Sequence, residues 1–492
     1  MAALREKGGL AYPAPDPERR DIGLIHENFR AGERVRAAGR ITAKRQHGKA
    51  VFADLRDSTG KVQLYLKEDI LGEEVFAAFN ALDIADIIEC RGELFKTHTG
   101  EPTLNLEAFS LLAKALRPLP EKWHGLKDVE LRYRQRYLDL IANEEVKKVF
   151  LARAQIIRAI RAFLDGKGFL EVETPMMHSI SGGASGRPFK TFHNEYAKDL
   201  YLRIAPELYL KRLLVGGLDR VYEINRSFRN EGVSTRHNPE FTMLEAYQAF
   251  ADYETMMRLS EELITAAAGA VLGKNEFTYR GKNVSLKAPW QRRSFAGMVK
   301  EKFAIEPSDE PALMLKKLQA KGLAPEQAKL TRSQVNKIIE EILEQDMSLD
   351  PTFVTDYFTS LCPLAKTKQD NPAISERFEL YIAGIEIGNA YSELNDPLEQ
   401  RRRFEEEIKD SDPAEKKAVD EEYVVALEHG MPPAGGLGIG IDRLVMLLTD
   451  QPSIRDVILF PLLRPEKEKL CGPNYLSAGD TWSPKGKRSL SP

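Results

Sequence analysis

Two apolar runs flanking a long polar segment constrain this chain more than any other feature. Val221-Tyr-Glu-Ile-Asn225 leads into a charged stretch with Gly232 and Pro239 as breakers, and the apolar texture resumes at Phe241-Thr-Met-Leu-Glu-Ala-Tyr247. The pattern predicts an antiparallel hairpin with a long loop. Alternation along its second strand puts Phe241, Met243, Glu245 and Tyr247 on one face. That face carries an aromatic plate, a carboxylate and a phenol in a row. The loop supplies Arg229, Arg236 and His237, more cationic and bidentate-capable groups than a solvated turn requires. Arginine over phosphate beside an aromatic plate points to a nucleotide.

The sequence Phe228-Arg229-Asn-Glu231 followed by Arg236-His237-Asn-Pro-Glu-Phe241 resembles motif 2 of the class II aminoacyl-tRNA synthetases, in the form found in lysyl-tRNA synthetases. The aspartyl and asparaginyl enzymes, the nearest relatives, carry different residues in this loop.

Composition sets outer limits. With 492 residues the chain has room for two or three domains, each with its own core. A net charge of -3 and 42% hydrophobic residues describe a soluble globular protein, so any contact with RNA must come from a local patch. Met1 to Arg20 lacks the apolar core of a signal peptide, and the longest apolar stretches, such as Ala266–Leu272, fall short of a membrane span. A cytoplasmic location without membrane contact is expected. Cys90, Cys362 and Cys471 are far apart and odd in number, which fits reduced thiols and no zinc site.

Residues 1–32 are rich in proline and charge and are expected to be flexible. From Glu33 the texture changes to short alternating runs, Val35–Ile41, Lys49–Leu55, Lys61–Leu66, Asp86–Phe95 and Leu104–Phe109. Five strands, turns at Asp57–Gly60 and Thr97–Gly100 and a helical pattern near Glu73–Leu82 fit a small Greek-key barrel of the OB type over residues 33–115, a fold that binds single-stranded nucleic acid. Between Glu33 and Lys61 eight Lys or Arg stand against three acids. Phe52 and Gln63 sit where a base could stack and be read by its edge. On pattern alone Phe52 serves equally well as a core residue. Resemblance to the anticodon-binding domain of the lysyl enzymes implies that Arg45, Phe52, Gln63 and Glu101 contact the central anticodon bases.

Residues 116–143 read as a linker, marked by Pro118 and Pro120. Val146, Val149, Phe150, Ala154, Ile157, Ile160 and Leu164 then repeat with helical period until Gly166-Lys-Gly168, and a strand from Phe169 to Pro175 follows. Helix, strand and terminal proline resemble motif 1, which forms the dimer interface in class II synthetases, so a homodimer is implied. The glycines between Ser181 and Phe189 let backbone approach a small ligand closely. Residues 251–350 look largely helical, an insertion into the catalytic sheet without chemistry of its own. The catalytic domain spans 144–464, and the tail, 465–492, is rich in Pro, Ser, Gly and Lys and is expected to be disordered.

Phe378 to Asp396 reads as two strands joined at Ala383-Gly384. Alternation places Asn389, Tyr391 and Glu393 on one face and Glu386 on the other, so Glu386 reaches the site only if a bulge near Gly388 resets the register. Glu379 and Glu386 are the ligand type that magnesium prefers when it also bridges phosphates. Gly435-Gly-Leu-Gly-Ile-Gly-Ile-Asp-Arg443 follows, with Arg443 at a helix start, where backbone donors already favour a phosphate. This stretch resembles motif 3, whose arginine holds the γ-phosphate of ATP.

The resemblance covers about residues 33–464. It implies an α+β protein, an N-terminal OB-type barrel followed by a class II catalytic domain with a mainly antiparallel sheet flanked by helices. It also implies the activity: lysine attacks ATP to give lysyl-adenylate, and the lysyl group passes to the 3′ end of tRNA(Lys). Phosphoryl chemistry of this kind asks for positioning and charge neutralisation more than for a dedicated base. By resemblance Arg229 and Arg443 are the catalytic residues. Arg229 bridges the α-phosphate and the lysine carboxylate with Asn389 assisting, Glu231, Arg236, His237 and Arg443 serve the rest of ATP, and Phe241 stacks on adenine. Glu379 and Glu386 hold Mg²⁺, more than one ion per subunit. Gly183 and Glu207 meet the α-amino group, leaving Glu245, Tyr247 and Glu393 for the side-chain ammonium, and Tyr391 counts among the lysine-binding residues. Two other readings remain: a paralogue that delivers lysine to a protein side chain, whose kind typically lacks the barrel, and a non-catalytic RNA-binding paralogue.

Overall fold

A computed structural model describes residues 13–119, 126–184, 186–324, 332–410 and 418–465. The expected disordered tail lies almost wholly outside these residues. The chain divides into two units, Met1–Glu144 and Glu145–Pro492.

In the first unit five strands, β1 (Arg34–His47), β2 (Ala50–Arg56), β3 (Lys61–Lys67), β4 (Ile87–Lys96) and β5 (Pro102–Ala113), close into a barrel in the order β1-β2-β3-β5-β4. Alternation decides what fills it. Val51, Ala53 and Leu55 of β2 and Val62, Leu64 and Leu66 of β3 are sealed in the core, so Phe52, Gln63 and Tyr65 between them face outward. The expected helix is present at Glu73–Asn80, with Phe76 and Phe79 buried. Within the segment 1–32, expected to be flexible, a helix at Ile22–Glu27 places Ile22 and Ile25 in the barrel core. The linker is helical at Val129–Arg134 and Arg136–Ala142, held by a buried Arg136–Asp139 ion pair at 2.6 Å.

The second unit is built on an eight-stranded sheet. Its first strand, β6 (Leu170–Glu171), is shorter than the expected Phe169–Pro175 strand. β7 (Met177–His178), β8 (Lys190–His193) and β9 (Lys198–Leu202) form a separate small sheet in the order β7-β9-β8. Then come β10 (Arg220–Phe228), β11 (Glu240–Ala249), the hairpin β12 (Glu276–Tyr279) and β13 (Lys282–Ser285), β14 (Gln291–Ser294), β15 (Thr352–Thr355), β16 (Arg377–Ile382), β17 (Ile385–Ser392) and β18 (Ala434–Gly440). The main sheet runs β14-β15-β16-β17-β18-β11-β10-β6, and only the pairings at its two edges are parallel.

One face of this sheet is covered by helices. Leu244, Ala246, Phe378, Leu380, Leu437 and Ile439 pack against the helices Glu144–Gly166, Tyr253–Leu272 and Ile441–Leu448. In the first of these the buried residues are Val146, Val149, Ile156, Ile160 and Leu164. Ile156 takes the inward position that the periodicity had given to Ala154, which is exposed. The opposite face of the sheet is free to form a site.

The segment 251–350 is largely helical, as expected, and begins with the helix Tyr253–Leu272. It supplies β12, β13 and β14 besides the helices Phe295–Phe303, Pro311–Gln319 and Arg332–Glu344.

Candidate active site

The expected hairpin is β10 and β11, paired antiparallel from Arg220↔Gln248 to Phe228↔Glu240. Two rows of in-register residues cross the free face of the sheet. One reads Glu379, Asn389, Gly438, Glu245, Glu223, and the other Tyr391, Gly436, Tyr247. The glycines of the Gly-x-Gly-x-Gly stretch therefore belong to a strand, not to a phosphate loop, and they keep the floor of the site low. A Cβ on Gly436 would lie 1.9 Å from Glu393 Oε1 and 2.5 Å from the Tyr247 ring.

The β16–β17 turn has positive φ at Ala383 (53°) and Gly384 (71°), as a two-residue turn matching strand twist requires. Beyond it the ladder slips: Tyr381 pairs with Glu386 and Leu380 with Gly388, leaving Ile387 as the extra residue. This bulge returns Glu386 to the face that carries Glu379 and Asn389, which meets the condition set by the sequence pattern.

At one end of the site lies a sealed pocket. Glu207, Glu245 and Glu393 are all buried. Tyr391 donates its hydroxyl to both oxygens of Glu207 at 2.7 Å, and Tyr247 donates to Glu245 Oε2 at 3.0 Å. Gly183, at φ 88°, sets its backbone against Glu207, whose Cβ is 3.5 Å from the position a side chain would occupy. Burial, and then the charge of Glu207, pushes the Glu245 carboxyl up to about 8. Sequence reasoning missed Lys211, which is fully buried between Glu207 and Glu393. Its signal was in the sequence as a lysine one helical turn after Glu207.

Arg229 marks the pocket mouth. Its guanidinium lies 5.2 Å from the centroid of the Phe241 ring, and among the described residues its buried Nε has no hydrogen-bond partner. Burial lowers its pKa, opposed by Glu231, Glu386 and Glu245. The aliphatic stem runs against Gly186, where a Cβ would come within 3.1 Å of Arg229 Cδ.

Beyond Arg229 the site turns cationic and open. Arg443, at the start of Ile441–Leu448, donates to Glu386 Oε2 at 2.9 Å and lies 3.3 Å from His237 Nε2. Its helix end is fixed by Asp442, which accepts from Arg153 Nη1 at 2.5 Å and from the Thr242 amide at 2.7 Å. Burial, joined by Arg443, lowers the His237 pKa. Burial works to raise the Glu386 carboxyl, but Arg443, Arg229 and Arg377 together hold the group below its ordinary value. Glu379 accepts from Arg377 at 2.6 Å and from the hydroxyls of Tyr357 and Tyr381 at 2.7 Å each, and Asn389 Oδ1 accepts from Arg377 Nε at 3.0 Å.

The segment 251–350, read as free of chemistry, contributes here. Helix Arg332–Glu344 brings Glu344 within 3.6 Å of Arg236, and Glu340 sits close enough to Glu379 for their charges to repel. Burial and then that repulsion push the Glu340 carboxyl up to about 8. Neither residue lies near motif 2 or motif 3 in sequence, so no local pattern marked them.

In the barrel, Arg45 pairs in register with Phe52, and Phe52 with Tyr65. Arg45 Nη2 is 3.2 Å from Asp54, Gln63 accepts from Thr103 at 3.1 Å, and Glu101 is 3.6 Å from Lys61. Phe52 and Tyr65 meet at 4.9 Å with their rings tilted by 40°, with His47 at 6.4 Å from Phe52 on one side and Phe95 at 5.9 Å from Tyr65 on the other. Outward-facing aromatics beside cations are the groups a base-stacking surface requires, and His47, Phe52, Tyr65 and Phe95 lie in successive ring contact.

An antiparallel sheet carrying a motif 2 hairpin, a bulged acidic strand and a glycine strand ending in a helix-start arginine defines a class II tRNA synthetase. The family described as tRNA synthetases class II (D, K and N) matches residues 128–464, and the OB-fold nucleic acid binding domain matches residues 35–112. The chain is 52% identical over 471 residues to the lysine–tRNA ligase of Moorella thermoacetica, covering 94% of this chain and 96% of the relative. It is 53% identical to those of Carboxydothermus hydrogenoformans (94% and 96% covered) and Pelotomaculum thermopropionicum (95% and 94%). The chain belongs to the lysine–tRNA ligase family of the class II synthetases.

Proposed function

We propose that the two ends of this site divide the work of lysyl-adenylate formation, the pocket selecting lysine and the cationic rim aligning ATP. The observation that carries the assignment is the free guanidinium nitrogen of Arg229, stacked on Phe241 at the mouth of a sealed acidic pocket. Arg229 there meets the lysine carboxylate and the α-phosphate together, which brings nucleophile and electrophile into line and neutralises the charge that develops between them. Asn389 orients the same groups, Phe241 stacks on adenine with Glu231 beside it, and Arg236, His237 and Arg443 hold the outer phosphates. Glu207 and the Gly183 backbone take the α-amino group. Glu245, Tyr247, Tyr391 and Glu393 take the side-chain ammonium, and an uncharged side chain would leave buried carboxylates unmatched.

The donor set at the rim fits magnesium. Glu379, Glu386, Glu340 and Glu344 are hard oxygen donors whose mutual repulsion a divalent ion relieves. Among the described residues no three acids, histidines or cysteines already converge as a metal cluster, and Arg377, Tyr357 and Tyr381 hold Glu379 in place. When bound, magnesium supplies charge neutralisation on the phosphates.

The aromatic face of the barrel, with Arg45, Phe52, Gln63 and Glu101, reads the anticodon of tRNA(Lys). Leu151, Leu170, Met176 and Met177 are exposed on or just after the motif 1 helix and strand, which supports a homodimer through that region. No helix among the described residues is long and apolar enough to cross a membrane, and we assign the protein to the cytoplasm. The alternatives of a protein-lysylating paralogue and an idle RNA-binding paralogue are weakened by the barrel face and by the intact rim. Amino-acid-dependent ATP–pyrophosphate exchange, run with each of the twenty amino acids, tests the reading. Exchange with lysine alone, followed by charging of tRNA, is expected, and no exchange from folded protein that binds ATP would overturn it.

A further inference from the structure

Lys211 has no part in the roles above. It sits on the helix Glu207–Val215, one turn after Glu207, and is fully buried. Its ammonium donates to Glu207 Oε1 at 2.6 Å, pairs with Glu393 and lies 5.4 Å from the centroid of the Tyr391 ring. Pairs one turn apart are ordinarily solvated features of a helix surface. This one is sealed and shared with a second carboxylate from the end of β17. Apolar side chains of similar volume would avoid the desolvation of such a cluster, so stability alone does not account for it.

The charges can be counted. Among the described residues the pocket holds the carboxylates of Glu207, Glu245 and Glu393, while Glu223 beneath them is matched by Arg203 at 2.7 Å. Tyr247, Tyr391 and Tyr423 face the cluster as neutral phenols whose pKa values burial raises. Arg229 at the mouth is taken by the substrate carboxylate. Three carboxylates therefore face one ammonium, a shortfall of two positive charges, and lysine carries two ammonium groups. Burial and the charge of Glu207 raise the Glu245 carboxyl, and burial also raises Glu393 against the pull of Lys211, so the protonated forms are favoured among these like charges.

We propose that Lys211 is a fixed third ammonium, a positioning residue that ties the carboxylate for the α-amino group, Glu207, to the carboxylate for the side-chain ammonium, Glu393. It sets their separation and limits the pocket to two substrate ammoniums, so the distance between those ammoniums becomes a selected property. This inference rests on the assignment of the pocket to lysine.

The test is exchange kinetics of the full chain with lysine and with its shorter homologue ornithine. Lys211→Met keeps nearly the same length without the charge. It is expected to raise the lysine KM by about tenfold or more and to lower the lysine-over-ornithine preference by about tenfold, with kcat and the ATP KM within about threefold. A folded Lys211→Met protein with the wild-type lysine KM, or with equal losses for lysine and ATP, overturns the proposal. Wild-type protein gives a second measurement that does not depend on the variant folding. Calorimetry of lysine binding at pH 7, in buffers of different ionisation enthalpy, is expected to show release of about one proton as Glu245 ionises against the second ammonium. No proton release overturns the charge count. Absence of any lysine-dependent exchange by the wild type would instead remove the lysine assignment itself.

Discussion

At the pocket end of the site, proposed above for lysine, every charged side chain is sealed between strands and one short helix. At the rim, proposed for phosphate, Arg236 and His237 stand exposed on the β10–β11 loop, and Glu340 and Glu344 arrive on a helix inserted between β14 and β15. The pocket is closed by its own phenols and Lys211, which leaves its three carboxylates short of positive charge. At the rim, arginines that phosphate could also claim pair with acids, as in Arg236–Glu344 and Arg443–Glu386. A fixed, desolvated pocket discriminates strongly because an unmatched charge there has no water to turn to. An open rim of exchangeable pairs suits a ligand that brings its own charges and must leave again as pyrophosphate.

Each of the following substitutions tests that contrast. Arg229 stands where the two ends meet, so Arg229→Ala should harm both. Loss of one preorganised donor to developing charge predicts a fall of about 10²- to 10³-fold in kcat for lysine-dependent exchange. A change confined to one KM would show that Arg229 belongs to only one end. Glu393→Gln should raise the lysine KM by about 10²-fold while leaving the ATP KM within about twofold. Equal losses in both constants would mean that the ends are not independent. Glu340→Gln, at the rim, should raise the ATP KM and the magnesium concentration for half-maximal exchange by about tenfold, with the lysine KM unchanged. Insensitivity of the magnesium requirement would leave Glu340 a structural acid.

The smallest effect concerns stability. Glu245 has a folded-state pKa of about 8, above its value of 4.5 in an unfolded chain, so the folded state binds more protons between those limits. Its contribution to stability is fully present below pH 4.5 and is lost as pH rises through about 8. Glu245→Gln, which cannot ionise, should therefore flatten the decline in melting temperature of the ligand-free protein from pH 5 to pH 8.5, and saturating lysine should flatten it in the wild type. A decline of the same slope in both proteins would place the titration elsewhere.

The sequence by itself determined the framework. Alternation with period 2 was enough to give the five barrel strands, the β10–β11 hairpin and the face shared by Glu245 and Tyr247, because in a half-buried strand the pattern and the buried face are one fact. Alternation by itself put Glu386 on the other face and gave the bulge near Gly388 only as the condition for Glu386 to join Asn389, a condition the register slip meets. Phe52 was undecided until the barrel closed: Val51 and Ala53 fill the interior, and the residue between them must face out. What only the tertiary structure decided are the long-range charge partnerships. Lys211 and Glu393, or Glu340 and Glu379, are far apart in the chain, and each alone reads as an ordinary helix or strand charge. Burial turns those charges into a site, because the worth of a charge depends on the dielectric around it and on the sign of its neighbours, and both are properties of the folded whole.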